Sequence, residues 1–154
     1  MNLSADSTIL SHELIHLLLT SLIALFFWRR FKDKRLILVS FFFGFFIDID
    51  HLFDYFVHFG LTNNFLNFFI VASYVLPNNK VYIFFHGWEF IIVFWLIGFF
   101  LEKKFKIKGL SLVILFSYAA HLLWDNFSFH HHPLAYLFLF RLANHFDLKS
   151  FRGL

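Results

Sequence analysis

Apolar residues along this chain are concentrated in four long runs, which are separated by short polar or charged stretches. The runs cover approximately residues 14–28, 36–60, 81–101 and 110–127. Each is close to the roughly 20 residues that an α-helix needs to cross the hydrocarbon core of a bilayer. Few glycines or prolines interrupt them, which favours helices over the strands of a membrane barrel. The pattern therefore predicts about four transmembrane helices.

Two further apolar stretches are too short to cross a membrane. Residues 65–76 lie between polar residues 62–64 and a turn at residues 77–79, and residues 134–146 follow the break His130-His131-His132-Pro133. Each stretch predicts a shorter apolar or interfacial helix. At 154 residues the chain supports one domain. The sequence thus predicts a single all-α, integral membrane helical bundle over residues 1–154.

Composition and charge agree with a membrane location. Hydrophobic residues make up 60% of the chain and the mean hydropathy is +0.71, well above the values of soluble proteins. Basic residues are concentrated in residues 29–35 and 103–108, between the first and second runs and between the third and fourth. The net charge is only +3, and these stretches flank membrane segments. The expected partner is therefore the lipid bilayer and not a nucleic acid.

The two basic stretches also predict an orientation. By the positive-inside rule, basic loops face the cytoplasm, and one orientation satisfies both stretches. The N-terminus, residues 60–80 and the turn at residues 125–133 then lie on the opposite side. The expected location is the cell membrane, either inner or plasma membrane.

The sequence Asp48-Ile49-Asp50-His51 interrupts the second apolar run. Ionisable side chains at membrane depth are costly to bury, and they usually face protein or water and serve a function. Carboxylate and imidazole groups are also common ligands of divalent metals. Because the chain contains no cysteine, a metal site has to be built from histidine, aspartate and glutamate.

Similar side chains occur at one depth in all four predicted helices. Counted from the adjoining basic stretch at about 1.5 Å per residue, they lie roughly 20–26 Å along each helix. They are His12 and His16 in the first helix, Asp48, Asp50 and His51 in the second, His86 and Glu89 in the third, and His121 and Asp125 in the fourth. Pairs three or four residues apart share a helix face, as in the metal sites of helical bundles. We therefore predict one metal site near the non-cytoplasmic side.

Some histidines have no clear assignment from the sequence. The pattern does not decide which of His12 and His16 binds the metal. The role of residues 130–132 is also open, because three successive side chains in a turn cannot all face one site. His58 and His145 lie near the ends of apolar segments, where an isolated histidine is more often an interfacial residue than a ligand.

The motifs resemble those of the membrane-bound, metal-dependent hydrolases of bacteria and archaea. That family has an N-terminal helix bearing a histidine, a Pro-Asp-Ile-Asp-His motif, a His-Arg-Gly-x-Thr-His-Ser motif and a late His-x-x-x-Asp helix. The matching elements here are His16, Asp48-Ile49-Asp50-His51, His86-Gly87-Trp88-Glu89 and His121-Leu122-Leu123-Trp124-Asp125. Ile47 replaces the proline, and the third motif lacks one histidine and the serine, so Glu89 is a substitute ligand or a base. The resemblance implies metal-dependent hydrolysis.

A mixed histidine and carboxylate set suits Zn²⁺ first, with Mn²⁺ or Fe²⁺ as alternatives, and six or more ligands leave room for one or two ions. Such a metal lowers the pKa of a bound water and polarises the ester that the water attacks. Glu89 or Asp54 is the candidate general base, or the carboxylate that orients a histidine. A site at the lipid–water boundary favours an amphiphilic substrate, and we expect a phospholipid or a lipid-linked phosphoester.

Two other functions compete with hydrolysis. One is a non-catalytic scaffold or regulatory protein, in which the metal or a polar network holds the helices together. The other is a metal-ion transporter, which needs ionisable residues along the whole path across the membrane. The cytoplasmic halves of the predicted helices contain no charged residue and no histidine, so the sequence disfavours transport.

Overall fold

The computed structural model describes residues 3–61, 79–129 and 132–152, and the side chains of the first helix from Ser11 onward. Its α-helices are α1 (Leu3–Phe31), α2 (Arg35–Gly44), α3 (His51–Phe59), α4 (Glu89–Phe105), α5 (Leu110–Phe129), α6 (Phe138–Ala143) and α7 (Leu148–Arg152), and a 3₁₀ helix, Phe46–Asp50, joins α2 to α3. These residues contain no strand, only one isolated antiparallel bridge between Lys80 and Asp147. The predicted all-α class is confirmed.

Two of the helices are long and apolar enough to cross a membrane. They are the part of α1 over Ser11–Phe31 and the part of α5 over Leu110–Ser128. The segment from α2 to α3 is a third if it forms one span despite its 50° bend. The remaining predicted span, the third along the chain, contains α4, which has 17 residues. The structure thus supports a membrane protein with two such helices, or three with the bent segment, and the count of four stays a prediction.

Two predicted helices have different boundaries in the structure. The second run is not one continuous helix, because the α-helix ends at Gly44 and Phe45 has φ −134°, ψ −49°. The third predicted transmembrane helix corresponds to α4, which begins at Glu89 and not at residue 81. Residues 81–88 are irregular, so His86 and Glu89 do not share a helix face. Apolar composition alone does not distinguish a buried irregular segment from a helix.

The short helices also differ from their predictions. The predicted helix over residues 65–76 lies outside the described residues. The stretch over residues 134–146 contains only the six residues of α6, and His145 and Phe146 have left-handed backbone angles that end it. Helix α7 follows this turn and was not predicted, since it is only five residues long.

The two basic connections meet at one end of the bundle. Phe27 and Leu36, on either side of the first connection, share a buried cluster with Ile107 and Leu110 from the second. Gly109 has φ +85° and lies so close to Phe31 that a Cβ there would clash with the ring. Both basic stretches therefore face the same side, as one orientation requires. A second cluster, which includes Ile47, Ile83, Tyr118, Leu122 and Tyr136, surrounds the bend and the irregular segment.

Glu102 caps α5 from the end of α4. Its carboxylate accepts hydrogen bonds from the N–H of Gly109 (3.0 Å), the N–H of Ser111 (3.0 Å) and the hydroxyl of Ser111 (2.7 Å). Partial burial opposes ionisation, but these donors outweigh it and lower the pKa of Glu102 below its ordinary value of 4.5. The N–H groups at the start of a helix have no partners within the helix, so this carboxylate stabilises the connection.

We predict that Glu102→Ala lowers the free energy of unfolding by about 1–2 kcal/mol, because the N–H groups lose their acceptor. Since the folded state has the lower pKa, the stabilisation is full above pH 4.5 and is lost as the pH falls below it. Thermal unfolding of detergent-purified wild type and Glu102→Ala at neutral and acidic pH tests this. A difference in Tm that does not shrink under acidic conditions would contradict the prediction.

Candidate metal centre

The irregular segment between α3 and α4 is held by carboxylates from the bent segment. Asp54 in α3 accepts hydrogen bonds from the N–H groups of Tyr82 (3.1 Å) and Ile83 (3.3 Å). Asp50, at the end of the 3₁₀ helix, accepts one from the N–H of Phe85 (2.8 Å). Non-helical backbone can be buried only where its polar groups find such partners. The two aspartates therefore fix this segment in place.

Tyr118 in α5 and Arg141 in α6 hold the same segment from the other side, and both are buried. The Tyr118 hydroxyl lies 2.8 Å from the carbonyl oxygen of Gly87 and accepts a hydrogen bond from the N–H of Gly87 (3.2 Å). The Arg141 guanidinium donates to the carbonyl of Ile83 (3.1 Å). His86 lies between these anchors and is fully buried.

Four side chains each bring one ligand atom to a common point: Asp48, His86, His121 and Asp125. His86 Nε2 lies 3.1 Å from Asp48 Oδ1, 3.0 Å from His121 Nε2 and 3.5 Å from Asp125 Oδ2. His121 Nε2 lies 3.4 Å from Asp48 Oδ1 and 3.2 Å from Asp125 Oδ2. Four ligands at bond lengths of about 2.0–2.1 Å around a tetrahedral ion lie about 3.3–3.4 Å apart. All five separations are close to that value, so the group fits a tetrahedral cation.

Oxygen acceptors fix the orientation of both histidines in this group. His86 Nδ1 lies 3.0 Å from Asp50 Oδ2, and His121 Nδ1 lies 3.3 Å from the carbonyl oxygen of Gly44. Only a protonated ring nitrogen can donate to these oxygens, so the contacts favour the hydrogen on Nδ1. Nε2 of each ring then presents its lone pair to the cluster. Buried metal-binding histidines are commonly held in this way.

Gly44 allows three helices to approach closely next to the cluster. A Cβ at this position would lie 2.5 Å from Thr20 Oγ1 and 3.3 Å from Ser117 Cβ. One helical turn away, Ser40 Oγ lies 2.8 Å from Ser117 Oγ and 3.2 Å from the carbonyl oxygen of Thr20. Small residues and hydroxyl groups are typical of close helix packing in membranes. This packing brings the carbonyl of Gly44 to His121.

A second group of ligand atoms is formed by His12, His16 and Asp125. Asp125 Oδ1 lies 2.8 Å from His16 Nε2 and 3.2 Å from His12 Nε2. The two Nε2 atoms are 2.9 Å apart. Both histidines predicted on the first helix therefore lie at the cluster and face Asp125 Oδ1. The His16 ring also stacks on the His121 ring, with 4.1 Å between the ring centroids.

The cluster reaches the protein surface beside Asp48 and His51. His51 Nε2 lies 3.5 Å from Asp48 Oδ1, and their side chains are 23% (Asp48) and 25% (His51) exposed. His51 also belongs to a third group of ligand atoms, with Asp50 and His86. Asp50 already accepts the hydrogen of His86 Nδ1. We therefore interpret this third group not as a separate metal site but as side chains that hold the ligands of the first group in place.

The structure brings together eight of the nine predicted ligands: His12, His16, Asp48, Asp50, His51, His86, His121 and Asp125. Glu89 is not in any of the three groups found among the described residues. It accepts hydrogen bonds from the N–H groups of Phe138 (3.0 Å) and Leu139 (3.1 Å), the first residues of α6. The two candidate bases, Glu89 and Asp54, both bind backbone N–H groups.

The other histidines lie apart from the cluster or outside the described residues. His58 Nδ1 lies 2.6 Å from the carbonyl oxygen of Asp54. His132 stacks on Phe140 and accepts a hydrogen bond from the N–H of Leu134. Residues 130 and 131 lie outside the described residues. None of the three ligand groups includes His58, His132 or His145.

Four residues near the site were not identified from the sequence. Gly44, Tyr118 and Arg141 position the ligands, and Glu13 on α1 is half-buried and interacts electrostatically with Asp48, His12, His121 and His51. Glu13 lies one residue from His12, so the depth count could have included it. The other three have no signal in the sequence, since their partners lie in distant segments.

Comparison of the chain with protein-family models, with curated proteins and with solved structures finds no match. The resemblance to membrane-bound, metal-dependent hydrolases therefore stays a prediction. The functional interpretation depends on the geometry of the site.

We predict that Asp50→Asn weakens metal binding by about 10–100-fold, as expected when the partner of a ligating histidine is lost. The amide can still accept the hydrogen bond from Phe85, but it no longer offers a carboxylate to His86 Nδ1. The affinity is measured by competition with a chelator of known strength. Asp54→Asn is the matched control, since Asp54 binds the same segment without contacting a ligand, and its affinity should stay within a few-fold of wild type. Equal losses in both variants would contradict the positioning role of Asp50.

We also predict that Gly44→Ala destabilises the protein by about 1–3 kcal/mol, because the new methyl group overpacks the contact with Thr20. Thr20→Ala removes the oxygen that would lie 2.5 Å from this methyl group. We expect Gly44→Ala to lower both the Tm and the metal affinity. The double variant Thr20→Ala/Gly44→Ala should therefore regain most of both. If the two substitutions are additive, the close approach does not set the position of His121.

Proposed function

We propose that this protein is a membrane-embedded, metal-dependent hydrolase that cleaves an ester in an amphiphilic substrate. The observation that carries the proposal is the group Asp48, His86, His121 and Asp125, with five ligand separations of 3.0–3.5 Å. Side chains of this polarity are expensive at membrane depth and mark functional sites. Helix packing alone does not require four of them to meet at one point.

The ligand atoms indicate the class of metal. Two imidazole nitrogens and two carboxylate oxygens suit Zn²⁺, Mn²⁺ or Fe²⁺. When bound, such an ion supplies an activated water and polarises the bond to be cleaved. The protein contributes the fixed geometry, since Asp50 orients His86 and the Gly44 carbonyl orients His121.

In this proposal Glu89 and Asp54 are positioning residues and not general bases. Each carboxylate already accepts two or more backbone N–H groups. A base in hydrolysis needs to reach the proton of the attacking water. Asp54 instead fixes the irregular segment next to the site, and Glu89 joins the start of α4 to the start of α6.

The surface next to the opening supports an amphiphilic substrate. Asp48 and His51 are more exposed than the other ligand-bearing residue at the surface, His12, and Ile49, Phe46 and Phe53 lie beside them in the chain. These apolar side chains are 63% (Ile49), 55% (Phe46) and 46% (Phe53) exposed. A molecule with a polar ester and an apolar tail fits this combination. We therefore propose a phospholipid or a lipid-linked phosphoester as the substrate. We also propose that the protein lies in the inner or plasma membrane, with the basic loops on the cytoplasmic side and the site on the opposite side.

Transport of the metal is less well supported than hydrolysis. Beyond the cluster, α1, α2 and α5 meet at Thr20, Ser40 and Ser117. One turn further on, Ala24 and Val113 are buried and apolar. Among the described residues, the three ligand groups thus have no continuation toward the basic loops.

The proposal is tested with protein reconstituted in vesicles that contain phosphatidic acid, phosphatidylglycerol and a polyprenyl diphosphate. Release of phosphate, headgroup or fatty acid is followed by mass spectrometry before and after metal removal and replacement. We predict turnover by wild type and by His58→Ala, whose histidine lies outside the cluster. Turnover should be lost in His121→Gln, because this ligand contacts both Asp48 and Asp125.

One outcome separates the enzyme from a scaffold. If wild type is folded and carries a stoichiometric transition metal but cleaves none of these esters, the hydrolase proposal fails and the metal-stabilised scaffold is favoured. If no metal is present under conditions that avoid stripping, the metal centre itself is wrong.

A further inference from the structure

The Asp125 carboxylate lies between two pairs of histidines. Its Oδ2 faces His121 Nε2 (3.2 Å) and His86 Nε2 (3.5 Å). Its Oδ1 faces His16 Nε2 (2.8 Å) and His12 Nε2 (3.2 Å). One oxygen of a single carboxylate thus belongs to each of the two ligand groups. This is the arrangement of a carboxylate that bridges two cations.

Hydrogen bonds alone do not account for the contacts on the Oδ1 side. Three contacts of 2.8–3.2 Å join Oδ1, His12 Nε2 and His16 Nε2. A ring nitrogen carries at most one hydrogen and the carboxylate carries none, so at least one of the three contacts has no hydrogen. Asp125 is buried, and Oδ1 has no hydrogen-bond partner of acceptable geometry in the described residues. A cation between these three atoms accounts for all three contacts.

The charge of the site also favours two cations. Asp48, Asp50 and Asp125 contribute three carboxylates to the cluster. One divalent ion would leave a net negative charge in a largely buried site, which is costly unless it is paired. A second divalent ion offsets this negative charge.

We propose that the site holds two divalent ions bridged by Asp125, one bound by Asp48, His86 and His121 and the other by His12 and His16. This inference rests on the proposed metal centre and extends it to two ions. The second ion has three protein ligands, which leaves a coordination position open, as in catalytic sites. Carboxylate-bridged ions about 3.5–4 Å apart are typical of enzymes that cleave phosphoesters. Both His12 and His16 are then ligands.

The test uses Mn²⁺ as a spectroscopic probe in detergent-purified full-length protein. Wild type should bind two equivalents of Mn²⁺, and its electron paramagnetic resonance spectrum should show the exchange coupling of a bridged pair. The double variant His12→Gln/His16→Gln keeps polar side chains of similar size but loses both nitrogen ligands. It should bind one equivalent, with the spectrum of an isolated ion. His58→Ala is the control and should resemble wild type in both measurements.

The outcomes distinguish this inference from the proposed function. If wild type binds one Mn²⁺, or two without coupling, the bridged pair is wrong, while a hydrolase with one ion remains possible. If wild type binds none, both the pair and the metal centre are wrong. Circular dichroism and size-exclusion chromatography show whether the double variant is folded. Should it be unfolded, the single variants His12→Gln and His16→Gln give the same test, since either should remove the coupling.

Discussion

The structure depends on one constraint: backbone that is not helical has to satisfy its hydrogen bonds before it can be buried among membrane helices. The segment before α4 meets this constraint through side chains of distant elements. Asp50 and Asp54 accept its N–H groups, and Arg141 donates to one of its carbonyls. Because the segment is fixed in this way, His86 can lie at a precise position without being part of a helix.

The same side chains connect this constraint to the site. Asp50 binds both the N–H of Phe85 and Nδ1 of His86 through its Oδ2 atom. One carboxylate oxygen thus holds the backbone and orients the adjacent ligand. On the other side of the cluster, the Gly44 carbonyl at the end of α2 accepts from His121. The bend after Gly44 is therefore part of the construction of the site, since a straight helix would use that carbonyl within its own ladder.

The sequence predicted the elements whose signal is local. Helices α1 and α5 follow directly from long apolar runs, and the spacing of His121 and Asp125 within α5 indicates a shared face. The common depth of polar residues predicted that distant segments meet, and eight of the nine proposed ligands do lie in one cluster. The prediction succeeds because the number of residues along a membrane helix gives the depth of a side chain, and side chains at the same depth in neighbouring helices can meet.

The sequence could not predict the roles of individual carboxylates. Asp54 and Glu89 have the same chemistry as a ligand or a base, but their partners are backbone N–H groups 28 and 49 residues away. The irregular structure of residues 81–88 could not be predicted for a related reason. These residues are mostly apolar, and the side chains that bind their backbone lie elsewhere in the chain. Whether a carboxylate is a ligand, an orienting group or a cap depends on which groups lie next to it in the folded structure. In this protein Asp54 and Glu89, which meet N–H groups of the irregular segment and of α6, hold the fold, and Asp50 meets both an N–H group and an imidazole. Asp48 and Asp125 meet imidazole nitrogens and are therefore the candidate metal ligands.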